Sequence, residues 1–225
     1  MPKAPFLVAH RAGNDLQALR RAERLPIRLV EADIHLFANR LEVRHLKTVG
    51  PVPILWDKWR LAPPWTPRLL VESLLEAAAP ETDLMLDLKG RDPRLAARIA
   101  TAIAEHGGGR SLTVCSQRWQ LLKPLAELRS VRLVHSVGGA RALNALRALP
   151  GGRLTGVSIH RRLLDPAVVA DLKRRAELVM TWPVATAGEA RMLASWGVDG
   201  VISEQFEELA AALEPHRFAS EAAAA

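Results

Sequence analysis

Short apolar runs alternate along the chain with longer amphipathic ones. The runs at 6–9, 28–33, 84–88, 112–115, 132–136, 156–159, 178–181 and 200–202 read as strands. Between them lie helical patterns at 92–105 (Leu95, Ile99, Ile103), 166–175 (Val168, Val169, Leu172) and 187–196 (Ala190, Leu193, Ala194). Strands this short and this apolar suit a sheet covered on both faces, and alternation with helices implies parallel order. Eight such strands close a barrel, so the pattern predicts an α/β fold, a single (β/α)8 TIM-type barrel.

Two stretches break the alternation. Residues 35–45 predict a small hairpin after the second strand, turning near Asn39-Arg40. Residues 46–67 hold five prolines with Trp56, Trp59 and Trp65, and show no regular period. That length without a pattern predicts a Trp/Pro-rich cover over the active site rather than a plain connection. Its tryptophans either form an apolar shelf for a substrate's alcohol or acyl part, or anchor the segment on the outer helices; anchoring is the reading preferred from sequence.

The 225 residues, 49% of them hydrophobic, suffice for one large core. The expected organisation is one barrel domain over 1–219 and a frayed Ala-rich tail over 220–225. The charge is +7, from 31 basic and 24 acidic residues. A basic balance suits nucleic acid, a membrane surface or a small anion. The arginines are scattered through helical stretches as a solvated surface, and no basic stripe interleaves with aromatics, which argues against nucleic acid. One cysteine, Cys115, allows no intramolecular disulfide. The start of the chain lacks a signal-like apolar segment, and no run of 18 apolar residues could span a bilayer, so a cytoplasmic chain without an integral membrane segment is expected.

In such a barrel the chemistry sits where strands end and the following loops begin. The first strand ends in His10-Arg11. The second carries Glu31 and Asp33, whose i, i+2 spacing puts both carboxylates on one face. The third ends in Asp87-Leu88-Lys89, the fourth at Ser116, the sixth at His160 and the seventh at Trp182. Three converging acids need a cation or basic partners. One reading is a divalent ion on Glu31, Asp33 and Asp87, oxygen ligands that suit Mg²⁺ or Ca²⁺. The other is an ion-pair network with Arg11 and Lys89. His10 and His45 read either as acid–base groups or as structural hydrogen-bonding ones. Cys115 reads as a small buried residue, Trp119 and Trp196 as core or helix-packing residues on helical patterns, and His160 as either a contact to a polar head or a surface residue.

Taken in order, these residues resemble the glycerophosphodiester phosphodiesterase family. Val8-Ala9-His10-Arg11 is similar to the family's opening His-Arg signature, and Glu31-Ala32-Asp33 to its Glu-x-Asp motif before a hairpin that returns a second histidine, here His45. Leu86-Asp87-Leu88-Lys89 stands where the family has Glu-x-Lys, and 179–184 and 197–203 look like its seventh and eighth strands. The resemblance implies hydrolysis of glycerophosphodiesters to glycerol 3-phosphate and an alcohol. It further implies a metal on Glu31, Asp33 and Asp87, His10 and His45 as the acid–base pair, Arg11 and Lys89 on the phosphate, and Trp182 lining the pocket. The partner would be a small phosphodiester, with transient lipid contact allowed.

The chain departs from the family's pattern in several places. Asn14-Asp15-Leu16-Gln17-Ala18 replaces the usual Glu-Asn-Thr element. Asp87 stands for a glutamate, Leu46 follows His45 where the family has aspartate, and the inserted cap is reduced. Two alternatives therefore stand beside the main expectation. One is a related barrel phospholipase of the lysophospholipase D, phosphatidylinositol-specific or sphingomyelinase D kind, and the other an anion-binding barrel that has lost turnover.

Overall fold

Eight of the apolar runs pair into one closed parallel sheet, in a computed structural model that describes residues 4–49, 52–57, 60–62 and 66–213. The strands are β1 (Phe6–Ala9), β2 (Leu29–Phe37), β3 (Leu84–Leu88), β4 (Leu112–Ser116), β5 (Val131–Val137), β6 (Gly156–His160), β7 (Val179–Trp182) and β8 (Gly200–Ser203). Each pairs in parallel with the next, and β1 closes the ring by pairing with both β2 and β8. The expected (β/α)8 barrel is the observed one.

Helices α1 (Leu16–Glu23), α2 (Val71–Ala77), α3 (Arg94–His106), α4 (Ala140–Arg147), α5 (Pro166–Arg175), α6 (Ala187–Ser195) and α7 (Phe206–Leu213) follow their strands. The exception comes after β4, where two short 3₁₀ turns, Trp119–Leu121 and Lys123–Leu125, replace the α-helix. Trp119 thus begins a 3₁₀ turn rather than lying on a helix, and its indole N–H donates to the Ser136 carbonyl at 3.0 Å. Each α-helix buries one stripe. In α3 the stripe is Leu95, Ala96, Ile99, Ala102 and Ile103, the i, i+4 spacing that faces a sheet.

The barrel interior is filled by about one side chain per strand. Val8, Leu29, Met85, Cys115, Val134, Met180 and Ile202 pack together there, with Phe6 and Leu178 near the amino-terminal end. Gly200 lets Phe6 fold across that end, because a Cβ on Gly200 would lie 2.4 Å from the Phe6 ring. This filling separates the cavity at the carboxyl end from a smaller one at the amino-terminal end, lined by Phe6, Leu29 and Leu178 among others.

The hairpin after β2 forms as expected, with 40–43 running back antiparallel against 34–37. The turn falls at Ala38-Asn39, one residue earlier than the sequence suggests, with both residues at positive φ (46° and 63°). Those dihedrals match the type I′ twist that a two-residue hairpin requires. The segment read as patternless contains three short antiparallel strands, Lys47–Val49, Val52–Asp57 and Arg60–Ala62. Trp56, on the middle one, is 38% exposed and carries the Lys47 ammonium 5.9 Å from its ring centre. Trp59 and Trp65 lie outside the described residues, as does the tail. No helix among the described residues is long and apolar enough to cross a membrane.

Candidate active site

The two acids of β2 and the acid of β3 meet because the strands are in register there. Asp33 pairs directly with Asp87, and Glu31 sits two residues below Asp33 on the same face. Glu31 and Asp33 are buried, and oxygens of all three carboxylates lie within 4.8 Å of one another. Around them opens a cavity of 780 Å³, whose walls include His10, Arg11, Glu31, His45, Asp87, Lys89 and Trp182. Met85, Cys115 and Ile202 from the barrel interior also line it.

Backbone geometry brings the loops to the carboxylates. Arg11 takes the left-handed conformation, φ 59°, at some conformational cost for a non-glycine residue. This bend turns its amide onto Glu31 Oε2 at 2.7 Å. The 3₁₀ turn Ala12–Asn14 then lies flat on β2, a close approach that Gly13 permits, since a Cβ there would sit 2.8 Å from the Ala32 Cβ. Asn14 reaches Asp33 in both directions. Its Nδ2 donates to Asp33 Oδ2 at 2.9 Å and its Oδ1 accepts from the Asp33 amide at 2.8 Å. β1 pairs with β2 only as far as Val30, so the side chain of Asn14 takes over where the neighbouring strand stops.

The hairpin delivers the second imidazole. The Arg44 amide donates to the Asp33 carbonyl at 2.9 Å, which carries His45 back beside the carboxylate, with Nδ1 3.2 Å from Asp33 Oδ2. Behind the hairpin, buried Glu42 accepts from Arg44 at 2.6 Å and Arg68 at 2.8 Å and fixes that return path. From the end of β1, His10 Nε2 lies 3.8 Å from Glu31 Oε2. Two imidazoles therefore meet the acids, each against a different carboxylate.

The charges do not balance. Three carboxylates face two permanent cations. Lys89 contacts Asp87 closely and lies 2.9 Å from Asp33 Oδ1, while Arg11 Nε is 3.6 Å from Asp33 Oδ2. Burial and the charge of Asp33 push the Glu31 carboxyl well above the usual range, and burial also raises Asp87 despite Lys89. Asp33 is held low instead: burial opposes its charge, but hydrogen bonds from His45, Lys89 and Asn14 outweigh it. The same surroundings raise the Lys89 ammonium through Asp87 and Asp33, against the effect of burial. Burial, then the Arg11 charge, lowers His10 to about 4.

This arrangement fits a divalent cation. The donors are all carboxylate oxygens, the excess charge is negative, and Asp87 Oδ1 is buried without a hydrogen-bond partner. Asp87 reaches the cluster although it is a methylene shorter than the glutamate of the family's pattern.

Other candidates fall away on geometry. Ser116 Oγ donates to the Leu88 carbonyl at 2.8 Å and accepts from the Arg118 amide, so it is fully used inside the fold. Cys115 is buried, and burial together with the Asp87 charge pushes its thiol up, the opposite of what a nucleophile needs. His160 is the last residue of β6 rather than the first of a loop; it accepts from the Arg162 amide at 3.2 Å and packs edge-on against Trp182.

Three residues outside the expected set belong to the site. Asn14 is one. Glu204, immediately after β8, accepts from Arg11 at 2.5 Å and lies 3.5 Å from His10 Nδ1. His35 continues the inward-facing series of Glu31 and Asp33 and lines the cavity, its imidazole lowered to about 3 by burial and the Arg44 charge. Strand-end logic applied to β8, and period-two logic extended by one step along β2, point to the last two.

Solved structures share the whole architecture. A glycerophosphodiester phosphodiesterase from Parabacteroides distasonis superposes with a TM-score of 0.76 at 20% identity, over 96% of this chain and 100% of that one. The barrel is that of solved glycerophosphodiester phosphodiesterases. One from Thermotoga maritima gives 0.67 at 16% identity, covering 92% and 99%. A phosphodiesterase from Oleispira antarctica, solved with its product sn-glycerol-3-phosphate, gives 0.75 at 18% identity, covering 94% and 97%. By sequence the chain matches no protein-family model and no curated protein.

Proposed function

We propose that the chain hydrolyses glycerophosphodiesters to glycerol 3-phosphate and an alcohol, with a divalent cation, Mg²⁺ or Ca²⁺, held by Glu31, Asp33 and Asp87. The observation that carries this reading is the pair of imidazoles, His10 and His45, each set against a different member of one three-carboxylate cluster at the mouth of this barrel. When bound, such an ion polarises a phosphoryl oxygen and offsets the charge of the acids.

The chain's own groups supply the remainder. A phosphodiester resists hydrolysis because its anion repels nucleophiles and its alkoxide leaves poorly. Arg11 and Lys89 line the cavity and bind the phosphate oxygens, stabilisation of a kind often worth several kcal/mol of barrier. One histidine takes the proton from the attacking oxygen and the other gives one to the leaving oxygen. Each transfer contributes roughly 10²–10⁴-fold. The His45 Nδ1–H donates to ionised Asp33, which leaves its Nε2 as the basic atom. Trp182 forms one wall against the substrate.

The test is release of glycerol 3-phosphate from glycerophosphoglycerol, read by a coupled dehydrogenase, with Mg²⁺ or Ca²⁺ and with excess chelator. Turnover with the ion and none with chelator is expected. Full activity in chelator refutes the metal role. Tight binding of glycerol 3-phosphate without any turnover would favour the anion-binding barrel instead.

A further inference from the structure

Many arginines on the outer helices are paired with acids: Arg20 with Glu23, Arg21 with Glu207, Arg94 with Asp92, Arg147 and Arg174 with Asp171. Arg98 and Arg191, on the same outer layer, donate to backbone carbonyls instead. At the mouth, Arg11 and Lys89 are likewise engaged with Asp33, Asp87 and Glu204. Lys47, Arg91 and Arg118 line the same 780 Å³ cavity, yet among the described residues none of the three has a carboxylate within ion-pairing distance. Lys47 lies over the Trp56 ring, 5.9 Å from its centre.

The three cations are also gathered on one side. Lys47 follows the β2 hairpin, Arg91 the end of β3 and Arg118 the end of β4, whereas on the β6–β7 side Trp182 lines the cavity and the nearby Arg161 and Arg162, outside its lining, are engaged by Glu189 and the Gly138 carbonyl. The cavity therefore has a phosphate centre at the carboxylates and an unneutralised positive wall beside it. Unpaired cations lining a cavity rather than projecting from helices call for an anion there.

Resting on the function proposed above, we infer that the preferred substrate carries a second anionic group, a phosphate or carboxylate, on its alcohol. The glycerol half offers only hydroxyls, so the extra charge belongs to the leaving alcohol. Lys47, Arg91 and Arg118 bind that group while Arg11 and Lys89 hold the scissile phosphate. A trimethylammonium or ammonium head is repelled from the same wall.

Glycerophosphoinositol and glycerophosphoinositol 4-phosphate form a clean pair, since they differ by one phosphate on the same alcohol. Wild-type kcat/KM should be about tenfold or more higher for the phosphorylated compound at low ionic strength, the order expected for a few partly exposed charge contacts. That ratio should shrink as salt is added. It should collapse towards one in the double variant Arg91→Gln/Arg118→Gln. Glycerophosphoglycerol and glycerophosphocholine are measured alongside. Cleavage of glycerophosphoglycerol with equal kcat/KM for the two inositol compounds overturns this inference and leaves the phosphodiesterase reading intact. So does a preference that survives in the double variant. Failure to cleave any of the four compounds overturns both.

Discussion

Asn14 offers the sharpest check on how the carboxylates are held. Its carboxamide makes two hydrogen bonds to Asp33, one to the ionised side chain at 2.9 Å and one from the backbone amide at 2.8 Å. Asn14→Ala removes both. A hydrogen bond to a charged group contributes about 1.5–3 kcal/mol, and a buried amide left unpaired costs about 1–3 kcal/mol. Asp33 is almost fully buried, so its amide has no ready replacement partner, but Asn14 itself is only half-buried and water can recover part of the loss. A net destabilisation of about 3 kcal/mol follows, or a fall in Tm of roughly 6–12 °C for a chain of this size. Asp33 would also lose its orientation, so half-saturation by Mg²⁺ should rise about 10–100-fold, the usual consequence of deleting a partner of a metal-ligating group. Thermal melts without ion and activity titrated against Mg²⁺ read the two effects separately. Asn14→Asp sharpens the comparison: it keeps an acceptor for the amide but sets a second carboxylate against Asp33, so it should be no better than alanine. An unchanged Tm together with an unchanged Mg²⁺ titration in Asn14→Ala would show that Asp33 is positioned without this loop.

Other consequences are open to measurement. His10→Ala and His45→Ala should each cut kcat by about 10²–10⁴-fold while circular dichroism keeps the wild-type fold, and near-normal turnover in both would remove the acid–base scheme. Burial opposes the Glu23 charge, but hydrogen bonds from the Ala79 amide, Arg20 and Thr82 outweigh it and set its folded pKa below the ordinary 4.5. Its contribution is therefore present above about that pH and fades as pH falls through the folded value. Glu23→Gln should cost about 1–3 kcal/mol in urea at neutral pH, and the gap to wild type should narrow in acid; a gap that stays constant would contradict this. Gly200→Ala forces a Cβ into the Phe6 ring and should destabilise by about 1–3 kcal/mol, with partial rescue by Phe6→Leu; no rescue would place the strain elsewhere.

The barrel could be read from sequence because strands buried on both faces have little choice but to be apolar, and each such run in this chain stands alone between polar loops. The site followed from a geometric rule, that strand ends converge. What escaped depends on backbone rather than side-chain pattern. Nothing in the string His10-Arg11-Ala12-Gly13-Asn14 announces a left-handed turn at Arg11, and without that turn Asn14 cannot be placed on Asp33. The strands within 47–62 are three to six residues long and interrupted by prolines, too short for alternation to emerge. The 3₁₀ connection after β4 carries leucines at 121, 122 and 125 that suit a helix equally well, with Pro124 the only sign against one.

The plug of side chains through the lower barrel, closed by Phe6 over Gly200, gives the site a single doorway. Whatever reaches the three acids arrives over the rim and must depart the same way. Traffic is thus governed by the loops above the strands and by the plug's upper side chains, Met85, Cys115 and Ile202, whereas substitutions low in the plug, at Phe6 or Leu178, change how long the scaffold lasts.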